Sequence, residues 1–482
     1  MHTDTAATAA LQRDAGQPLA QQLAQRFSQR IQQRLLLPGS RLPSVRECAR
    51  HHRVSPYTVV AAYDQLLAAG LVEARKQRGF FVRDLRPQAA ADGRTAPQRP
   101  SVGIPQGVPL DATALIRGMF QADARHAPGL GTLPGDWLDL PLLQSAMRRV
   151  LAQTDGDDPL ALQYGEPGGD LRLRQALARR LDDLGISAPA EQIISTVGAT
   201  HALDLITRRL LQPGDAVLVD DPGWSIEYAR LSQAGMRLLP VPRGADGPDM
   251  AVMTQLAQEH RPRMYVTVSV LHNPTGGTLS LSRAHQILKL GEAHDFQIVE
   301  DDTYASMAPN HAPRLSALDG LRRTLYVSGF SKILTPAWRV GFVAAAPEIV
   351  AQLTEQKLLT TLTTSPLMDR AVAVCLEQGT LRRHAESVIA RLDAARQRVV
   401  PLAEGAGCRF VTPPAGLFGW LEVGMDTERL AQRMLDEGWL IAPGVLFSAT
   451  RQAGSLMRIN FATSQDARFW RRLQAMREER QR

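Results

Sequence analysis

Apolar side chains near the start of the chain recur at every fourth position. In PLAQQLAQRFSQRIQQRLL, residues 18–36, the positions Leu19, Leu23, Phe27 and Ile31 fall on one side of a helix, and polar residues occupy the other side. Gly39 follows closely, and glycine is a common helix terminator. The pattern predicts an amphipathic helix that packs against a neighbouring element.

Two capping signals divide the next segment into two further helices. Ser44 and Glu47 have the spacing of a capping box, which predicts a short helix from the residue after Ser44. Ser55 followed by Pro56 combines an N-cap with a first-turn proline, and Gly70 stands where a third helix would end. The expected buried face of this third helix consists of Val59, Tyr63 and Leu66 or Leu67.

After Gly70 the apolar pattern changes to short β-type runs. LVEA and FFV flank RKQRG, which predicts a hairpin with a basic tip. A helix, a helix–turn–helix and a hairpin in this order are typical of a winged helix–turn–helix, whose third helix enters the DNA major groove.

From about residue 190 the pattern alternates between buried strands and helices. Apolar, β-rich runs are separated by helical stretches such as ATHALDLITRRLL, which predicts an α/β fold with a mostly parallel sheet covered on both faces. The five predicted strands lie at residues 193–197, 216–220, 263–270, 296–301 and 324–329.

The bulk composition adds limits to this picture. The chain has 482 residues, with 44% hydrophobic and 21% charged residues, which predicts two or three globular domains. Its three cysteines are far apart in the sequence, so we expect neither disulfides nor a metal site. Neither a signal peptide nor a membrane-spanning run is evident, and we expect a cytoplasmic protein without a membrane partner.

A stretch rich in proline and glycine separates the two patterns. Residues 84–109 hold five prolines and three glycines with little apolar periodicity, which is typical of a linker. We therefore predict a DNA-binding domain at 1–83, a linker at 84–109 and a second domain at 110–482. Within the second domain we expect a large part at about 155–350 and a small part at about 351–482.

The basic residues of the first domain cluster around its third helix and hairpin. Such a cluster can bind phosphates, and the net charge of +7 alone would not reveal it. The simpler alternative is a solvated charged surface on a helical subdomain. The caps, helix ends and charges agree with each other, so we favour operator DNA as the partner. The residues predicted to contact DNA are Arg41, Ser44, Arg46, Ser55, Pro56, Tyr57, Thr58, Tyr63, Lys76 and Arg78.

Polar residues follow several predicted strands of the second domain, where ligands bind to open parallel sheets. Gly198-Ala199-Thr200 opens a helix and can hold a phosphate, Asp301 ends one strand, and Lys332 follows another with Arg339 downstream. Each signal is weak alone. Together they match what pyridoxal 5′-phosphate requires, which is a Schiff-base lysine, a carboxylate for the pyridine nitrogen and a phosphate seat. The remaining residues assigned to the cofactor are Trp224 for its ring face, Asn273 and Tyr304 for its phenolic oxygen, and Ser328 and Ser331 near its phosphate.

Two family resemblances rest on these motifs. RLPSVRECARHHRVSPYTVVAAYDQLLAAGLVEA resembles the head of the GntR family of bacterial transcription regulators. The motifs NPTG, DDTY and SGFSKILTPAWRVG resemble those of fold-type I aminotransferases in order and spacing. This second resemblance implies that Tyr164 reaches a phosphate in a partner subunit and that Arg458 binds an effector carboxylate. One position departs from the family, because Gly329 stands where a serine or threonine is usual, and Ser328 or Ser331 would replace its hydroxyl.

The joined chain resembles the MocR subfamily, in which a GntR-type head precedes an aminotransferase-like domain. The resemblance implies a homodimer with a domain-swapped, head-to-tail arrangement. We therefore expect a transcription regulator dependent on pyridoxal phosphate that senses an amine, an amino acid or the cofactor itself. We do not expect an enzyme, although a residual transaminase half-reaction is compatible with the site. The alternatives are an active aminotransferase with a DNA-binding head, and a DNA-binding protein whose second domain is only a dimerisation scaffold.

Overall fold

The computed structural model describes residues 17–32, 36, 39–75, 78–83, 126–152, 162–452 and 454–481. The chain divides into two compact units, of which the head unit comprises Met1–Asp123 with Gln432–Trp439. The body unit comprises Ala124–Ala431 and Leu440–Arg482.

Up to residue 83, the described part of the head unit contains three helices and a two-stranded hairpin, as the sequence pattern predicts. The helices are α1 (Leu19–Gln32), α2 (Val45–His52) and α3 (Pro56–Ala68), and the antiparallel strands are β1 (Val72–Arg75) and β2 (Gly79–Val82). Both predicted caps are present, since Ser44 Oγ accepts from Glu47 N at 3.3 Å and Ser55 Oγ accepts from Thr58 N at 3.1 Å. The buried core of this unit includes the apolar face of α1, with Leu23, Phe27 and Ile31.

The body unit is built on an eight-stranded, mostly parallel sheet in the order β3-β10-β9-β8-β7-β4-β5-β6. Its strands are β3 (Ile193–Thr196), β4 (Ala216–Asp221), β5 (Arg237–Gly244), β6 (Gly247–Pro248), β7 (Met264–Thr267), β8 (Gln297–Asp301), β9 (Thr324–Gly329) and β10 (Gly341–Ala344). Strands β5, β4, β7, β8 and β9 run parallel, whereas β10 is antiparallel to both β3 and β9. The α/β prediction is confirmed.

Three strands of this sheet were not among those predicted. Strand β5 carries two prolines, and β6 has only two residues. Strand β10 has four residues, and its inclusion between β3 and β9 depends on contacts distant in sequence. The predicted strand at 263–270 is shorter, at Met264–Thr267.

The remaining helices belong to the body unit, except that the helix Thr427–Asp436 passes into the head unit from Gln432 onward. They are α4 (Leu140–Ala152), α5 (Leu171–Asp182), α6 (Ala199–Leu210), α7 (Ser225–Gln233), α8 (Met250–His260), α9 (Leu281–Ala293), α10 (Leu315–Asp319), α11 (Pro347–Thr360), α12 (Pro366–Glu377), α13 (Thr380–Gly405), α14 (Thr427–Asp436) and α15 (Ala467–Gln481). A second, antiparallel sheet has the order β11-β12-β14-β13, with β11 (Arg409–Phe410), β12 (Phe418–Glu422), β13 (Ala442–Pro443) and β14 (Leu456–Asn460). Within the part of the chain that the structure describes, no helix is long and apolar enough to span a bilayer.

Two buried ion pairs fix the strand ends on which the site lies. Arg243 Nη1 donates to Asp220 Oδ2 at 2.7 Å at the end of β4, and Tyr265 Oη donates to the other carboxylate oxygen at 2.6 Å. Beyond the end of β8, Arg314 Nε donates to Asp302 Oδ2 at 2.6 Å. Because losing one partner of a buried ion pair leaves an uncompensated charge, these strand ends are held firmly.

Candidate functional site

A positively charged seat forms where β3 ends and α6 begins. Gly198 has a φ of 77°, and no side chain among the described residues caps the helix N-terminus that follows it. Arg339 donates from Nη2 to Val197 O at 3.2 Å and from Nη1 to Ser331 Oγ at 3.1 Å. A Cβ atom on Gly198 would lie only 2.6 Å from Arg339 Nη2. The helix N-terminus, the guanidinium and the Ser331 hydroxyl therefore converge on a place suited to an anion.

The seat depends on backbones that pack without side chains. A Cβ on Gly341 would lie 2.6 Å from the carbonyl carbon of Gly198, which is closer than real contacts allow. A Cβ on Gly329 would lie 3.2 Å from Val340 O, which is a tight contact. This is the position at which the fold-type I aminotransferases that the chain resembles usually have a hydroxyl side chain. Arg339 itself has a φ of 52°, a left-handed conformation that is uncommon for residues other than glycine and concentrates at functional sites.

Ser328 and Ser331 are the predicted replacements for that hydroxyl. Only Ser331 lies at the seat. Ser331 bonds to Arg339, whereas Ser328 is buried in β9 and donates from Oγ to Asp302 O at 2.7 Å. Neighbouring residues of a strand point to opposite faces, and Gly329 is the residue whose Cβ direction approaches the N-terminus of α6. Ser328 therefore lies outside the group that surrounds the seat.

Lys332 lies half-buried beyond the end of β9, and its amine donates to Gly131 O at 2.9 Å. Burial lowers the pKa of Lys332 to about 8, with a further lowering by the positive charges of Arg458 and Arg339 and an opposing effect of Asp301. An amine with this pKa is available in its neutral, nucleophilic form near neutral pH.

Asp301 ends β8 and shares a cavity lining with Trp224. Its Oδ1 accepts from Thr303 N at 3.0 Å and from the Thr303 hydroxyl. Burial raises the pKa of Asp301 to about 6, and these hydrogen bonds oppose the rise while the negative charge of Glu227 adds to it. The carboxylate is thus largely ionised at neutral pH and can hold a protonated ring nitrogen.

Arg458 on β14 is a buried cation that donates hydrogen bonds to neutral oxygens. Nη1 donates to Asn273 Oδ1 at 2.8 Å and Nη2 donates to Gly129 O at 2.6 Å. Nε is buried without a hydrogen-bond partner among the described residues. Burial lowers the pKa of Arg458 to about 10, and the guanidinium lies 4.4 Å from the ring centre of Phe418. A buried cation paired in this way is suited to a carboxylate ligand.

The structure also places the other predicted residues. Tyr304 is buried, packs edge-on against Phe418 and has a pKa raised by burial, which the charge of Arg458 opposes. Tyr164 is 83% exposed, and its predicted contact with a partner subunit stays a prediction.

Sequence reasoning missed three residues of this region. Gly131 contributes only a carbonyl, which no side-chain pattern reveals. Thr303 follows Asp301 at the spacing of an Asx turn, and this signal could have been used. Asn460 lies two positions after Arg458 in β14, on the same face of the strand, and the period of two could have indicated it.

Among the described residues predicted to contact DNA, all but one are exposed or partly buried. Tyr57 is 82% exposed near the start of α3, whereas Tyr63 is 0% exposed and donates from Oη to Pro43 O at 2.9 Å. The prediction that Tyr63 contacts DNA is therefore wrong, because its ring belongs to the core of the unit. Lys76 lies outside the described residues. The remaining predicted residues lie on the surface or are partly buried near the starts of α2 and α3 and on the hairpin: Arg41, Ser44, Arg46, Ser55, Pro56, Thr58 and Arg78.

Comparisons with known proteins agree with this arrangement. The family of bacterial regulatory proteins of the gntR type matches residues 19–82, and the aminotransferase class I and II family matches residues 130–474. The regulator TauR of Rhodobacter capsulatus is 31% identical over 461 residues, which cover 88% of this chain and 89% of that protein. The probable rhizopine catabolism regulatory protein MocR of Rhizobium meliloti is 29% identical over 396 residues, covering 81% and 78% of the two chains.

A solved structure shows the same relationship for the body unit. The α-aminoadipate aminotransferase LysN of Thermus thermophilus, in complex with N-(5′-phosphopyridoxyl)-L-leucine, superposes with a TM-score of 0.67 at 27% identity. The match covers 75% of this chain and 93% of that protein. The chain therefore belongs to the aminotransferase class I and II family and, with its gntR-type head, is a MocR-type transcription regulator.

Proposed function

We propose that this regulator binds pyridoxal 5′-phosphate in the body unit and senses an amine or amino acid, or the cofactor itself, at Lys332. The observation that carries the proposal is the setting of Lys332. Its amine has a pKa of about 8 and lies in the electrostatic range of one carboxylate, Asp301, and of two cations, Arg339 and Arg458.

The described residues fit the cofactor on two structural observations. A side chain at position 198 would occupy the seat, because its Cβ atom would collide with Arg339. Glycine at this position therefore leaves room beside the guanidinium. The buried Nε of Arg458 has no partner among the described residues, which indicates a place for an anionic group. When bound, the cofactor supplies an aldehyde that bonds reversibly to amines and a ring that withdraws electrons.

Each polar group of the cofactor has a suitable partner in the chain. Lys332 would bond the aldehyde, and Asp301 would accept from the ring nitrogen. The phosphate would be held by Arg339, Ser331 and the start of α6. Three further side chains complete the set, with Asn273 and Tyr304 at the phenolic oxygen and Trp224 at the ring face.

Arg458 would bind the carboxylate of the effector. A carboxylate that accepts from a guanidinium forms charge-assisted hydrogen bonds, which are stronger than those to the neutral oxygens of Asn273 and Gly129. An amino acid can bind at both ends, because its amine can reach the cofactor while its carboxylate reaches Arg458. This argues for an amino-acid effector above a simple amine.

The head unit would bind operator DNA through α3. Ser55 and Pro56 fix the start of the helix, Tyr57 is exposed beside them, and Arg46 and Arg78 are exposed nearby. An operator with two-fold symmetry requires two heads, so we infer a homodimer. Exposed apolar side chains on the body unit, including Leu162, Tyr164 and Leu359, are consistent with a surface that a second copy covers.

The test uses the full-length protein and pyridoxal phosphate. Wild-type protein should develop a visible absorbance band that Lys332→Met abolishes, whereas Lys289→Met, at an exposed lysine of α9, should retain it. Binding to DNA from the protein's own promoter region should change when the cofactor or an amino acid is added. A colourless wild-type protein, or a DNA affinity that ignores every such addition, would contradict the proposal.

An aminotransferase activity is the second candidate function. The near-neutral pKa of Lys332 would suit a general base, and Arg458 is present for a substrate carboxylate. Sustained conversion of an amino acid and a keto acid by wild-type protein, lost in Lys332→Met, would establish it. A single stoichiometric turnover without further reaction would favour the sensor.

A further inference from the structure

Residues 126–133, here called the strap, run across the site and are held there by their carbonyl groups. Every carbonyl from His126 to Thr132 accepts a hydrogen bond from elsewhere in the body unit, at donor–acceptor distances of 2.6–2.9 Å. In chain order the donors are Leu440 N, Thr463 Oγ1, Asn460 N, Arg458 Nη2, Asn460 Nδ2, Lys332 Nζ and Asn460 Nδ2.

Two of these donors are also the groups assigned to ligands. Arg458 holds Gly129 O and Lys332 holds Gly131 O. An effector carboxylate would compete with Gly129 O for the guanidinium of Arg458, because a charged acceptor forms a stronger hydrogen bond than a neutral carbonyl. Bonding of a neutral lysine amine to an aldehyde forms a C=N bond and releases water, in which both amine hydrogens leave with the aldehyde oxygen. The nitrogen then has no hydrogen to donate to Gly131 unless it takes up a proton.

The other anchors do not depend on ligands. Asn460 is fully buried and uses both hydrogens of its amide, one on Leu130 O at 2.9 Å and one on Thr132 O at 2.8 Å. Its Oδ1 accepts from Ala462 N at 2.9 Å, which fixes the orientation of the amide. Thus Asn460 holds the carbonyls on both sides of Gly131, and from Pro128 to Thr132 the carbonyls bond alternately to Asn460 and to a group assigned to a ligand.

The strap is also the first described part of the body unit, and in sequence residues 84–125 lie between it and the hairpin of the head unit. We propose that the strap is the output element of the site. Occupation of Lys332 and Arg458 would release its carbonyls at Gly131 and Gly129, and the released strap would shift the chain that leads to the head. Asn460 acts as a positioning residue that keeps the strap in register. This inference rests on the proposed sensing function and adds the route by which the site acts on the head.

The first test needs no cofactor. Hydrogen–deuterium exchange of the peptide that covers the strap is measured in cofactor-free wild type, in Lys332→Met and in the control Lys289→Met. Losing one anchor should speed the exchange of this peptide about three- to tenfold in Lys332→Met, since a net hydrogen bond contributes about that factor. The control should match wild type. Equal exchange in all three proteins overturns the proposal, whatever the cofactor does.

The second test separates the output role from cofactor binding. Asn460→Leu removes both amide donors at nearly constant volume, Thr463→Val removes the donor to Ala127 O more mildly, and Asn310→Leu is the control at an exposed asparagine. We expect the two strap variants to keep the visible band with pyridoxal phosphate, to exchange faster at the strap and to lose most of the ligand-dependent change in DNA affinity. A full DNA response in both strap variants, despite faster strap exchange, overturns the proposal.

Wild-type protein distinguishes this inference from the proposed function. If DNA affinity responds to the ligand while strap exchange stays constant, the strap proposal fails and the sensing function stands. If neither a visible band nor a DNA response occurs, the sensing function fails, and the output role of the strap fails with it.

Discussion

The amine of Lys332 provides a direct test of the electrostatics of the site. Its pKa of about 8 results mainly from burial, with Arg458 lowering it further and Asp301 raising it. Two single substitutions should therefore move this pKa in opposite directions. Arg458→Met removes a positive charge and should raise the pKa toward its ordinary value, whereas Asp301→Asn removes a negative charge and should lower it.

The size of the effect follows from the pKa. At pH 7 an amine with a pKa of about 8 is neutral in roughly one molecule in ten, whereas at the ordinary value of about 10.5 it is neutral in roughly one in three thousand. The site thus makes the nucleophilic amine about 300-fold more abundant at this pH. Each substitution should change that abundance several-fold, because either charge is one contribution beside the larger effect of burial.

The assay is the initial rate at which cofactor-free protein captures pyridoxal phosphate, followed by visible absorbance between about pH 6 and pH 10. The wild-type rate should rise with pH and level off above a midpoint near 8. The pH midpoint of the capture rate is compared between the proteins. The absolute rate is not compared, because Asp301→Asn also removes the partner of the cofactor's ring nitrogen and can change the rate for that reason alone. A wild-type midpoint near 10, or midpoints that both variants move in the same direction, would refute this account.

Three further predictions concern other parts of the molecule. Arg458→Gln should weaken the binding of an amino-acid effector about 10- to 100-fold while the saturated cofactor band remains, as measured by titration of the effector-induced absorbance change. Gly341→Ala should destabilise the protein by about 2 kcal/mol or more and weaken cofactor binding, because the added carbon would collide with Gly198, whereas Gly405→Ala meets nothing within 4 Å and should be neutral or slightly stabilising in thermal unfolding. Arg46→Ala should reduce the slope of log K for DNA against log salt by about 0.9, and an unchanged slope would remove Arg46 from the phosphate contacts.

The local features of this protein are set by its sequence. The starts of α2 and α3, the hairpin that follows them and the alternation of strands and helices in the body unit depend on caps, proline and apolar periods within a few residues. The positions of Asp301 and Lys332 at strand ends could also be predicted, because parallel strands direct their carboxyl ends to one edge of the sheet. These signals are local, so they can be read without knowing the fold.

The tertiary structure alone decided the features that join distant segments. Lys332 meets the carbonyl of Gly131 across 201 positions of sequence, and β10 enters the sheet between β3 and β9 in the antiparallel sense. Tyr63 turns its hydroxyl to Pro43 inside the head core, and Ser328 turns toward Asp302 and away from the seat. Side-chain patterns specify which face of an element is apolar, but which backbone lies against that face is decided only when the whole chain packs.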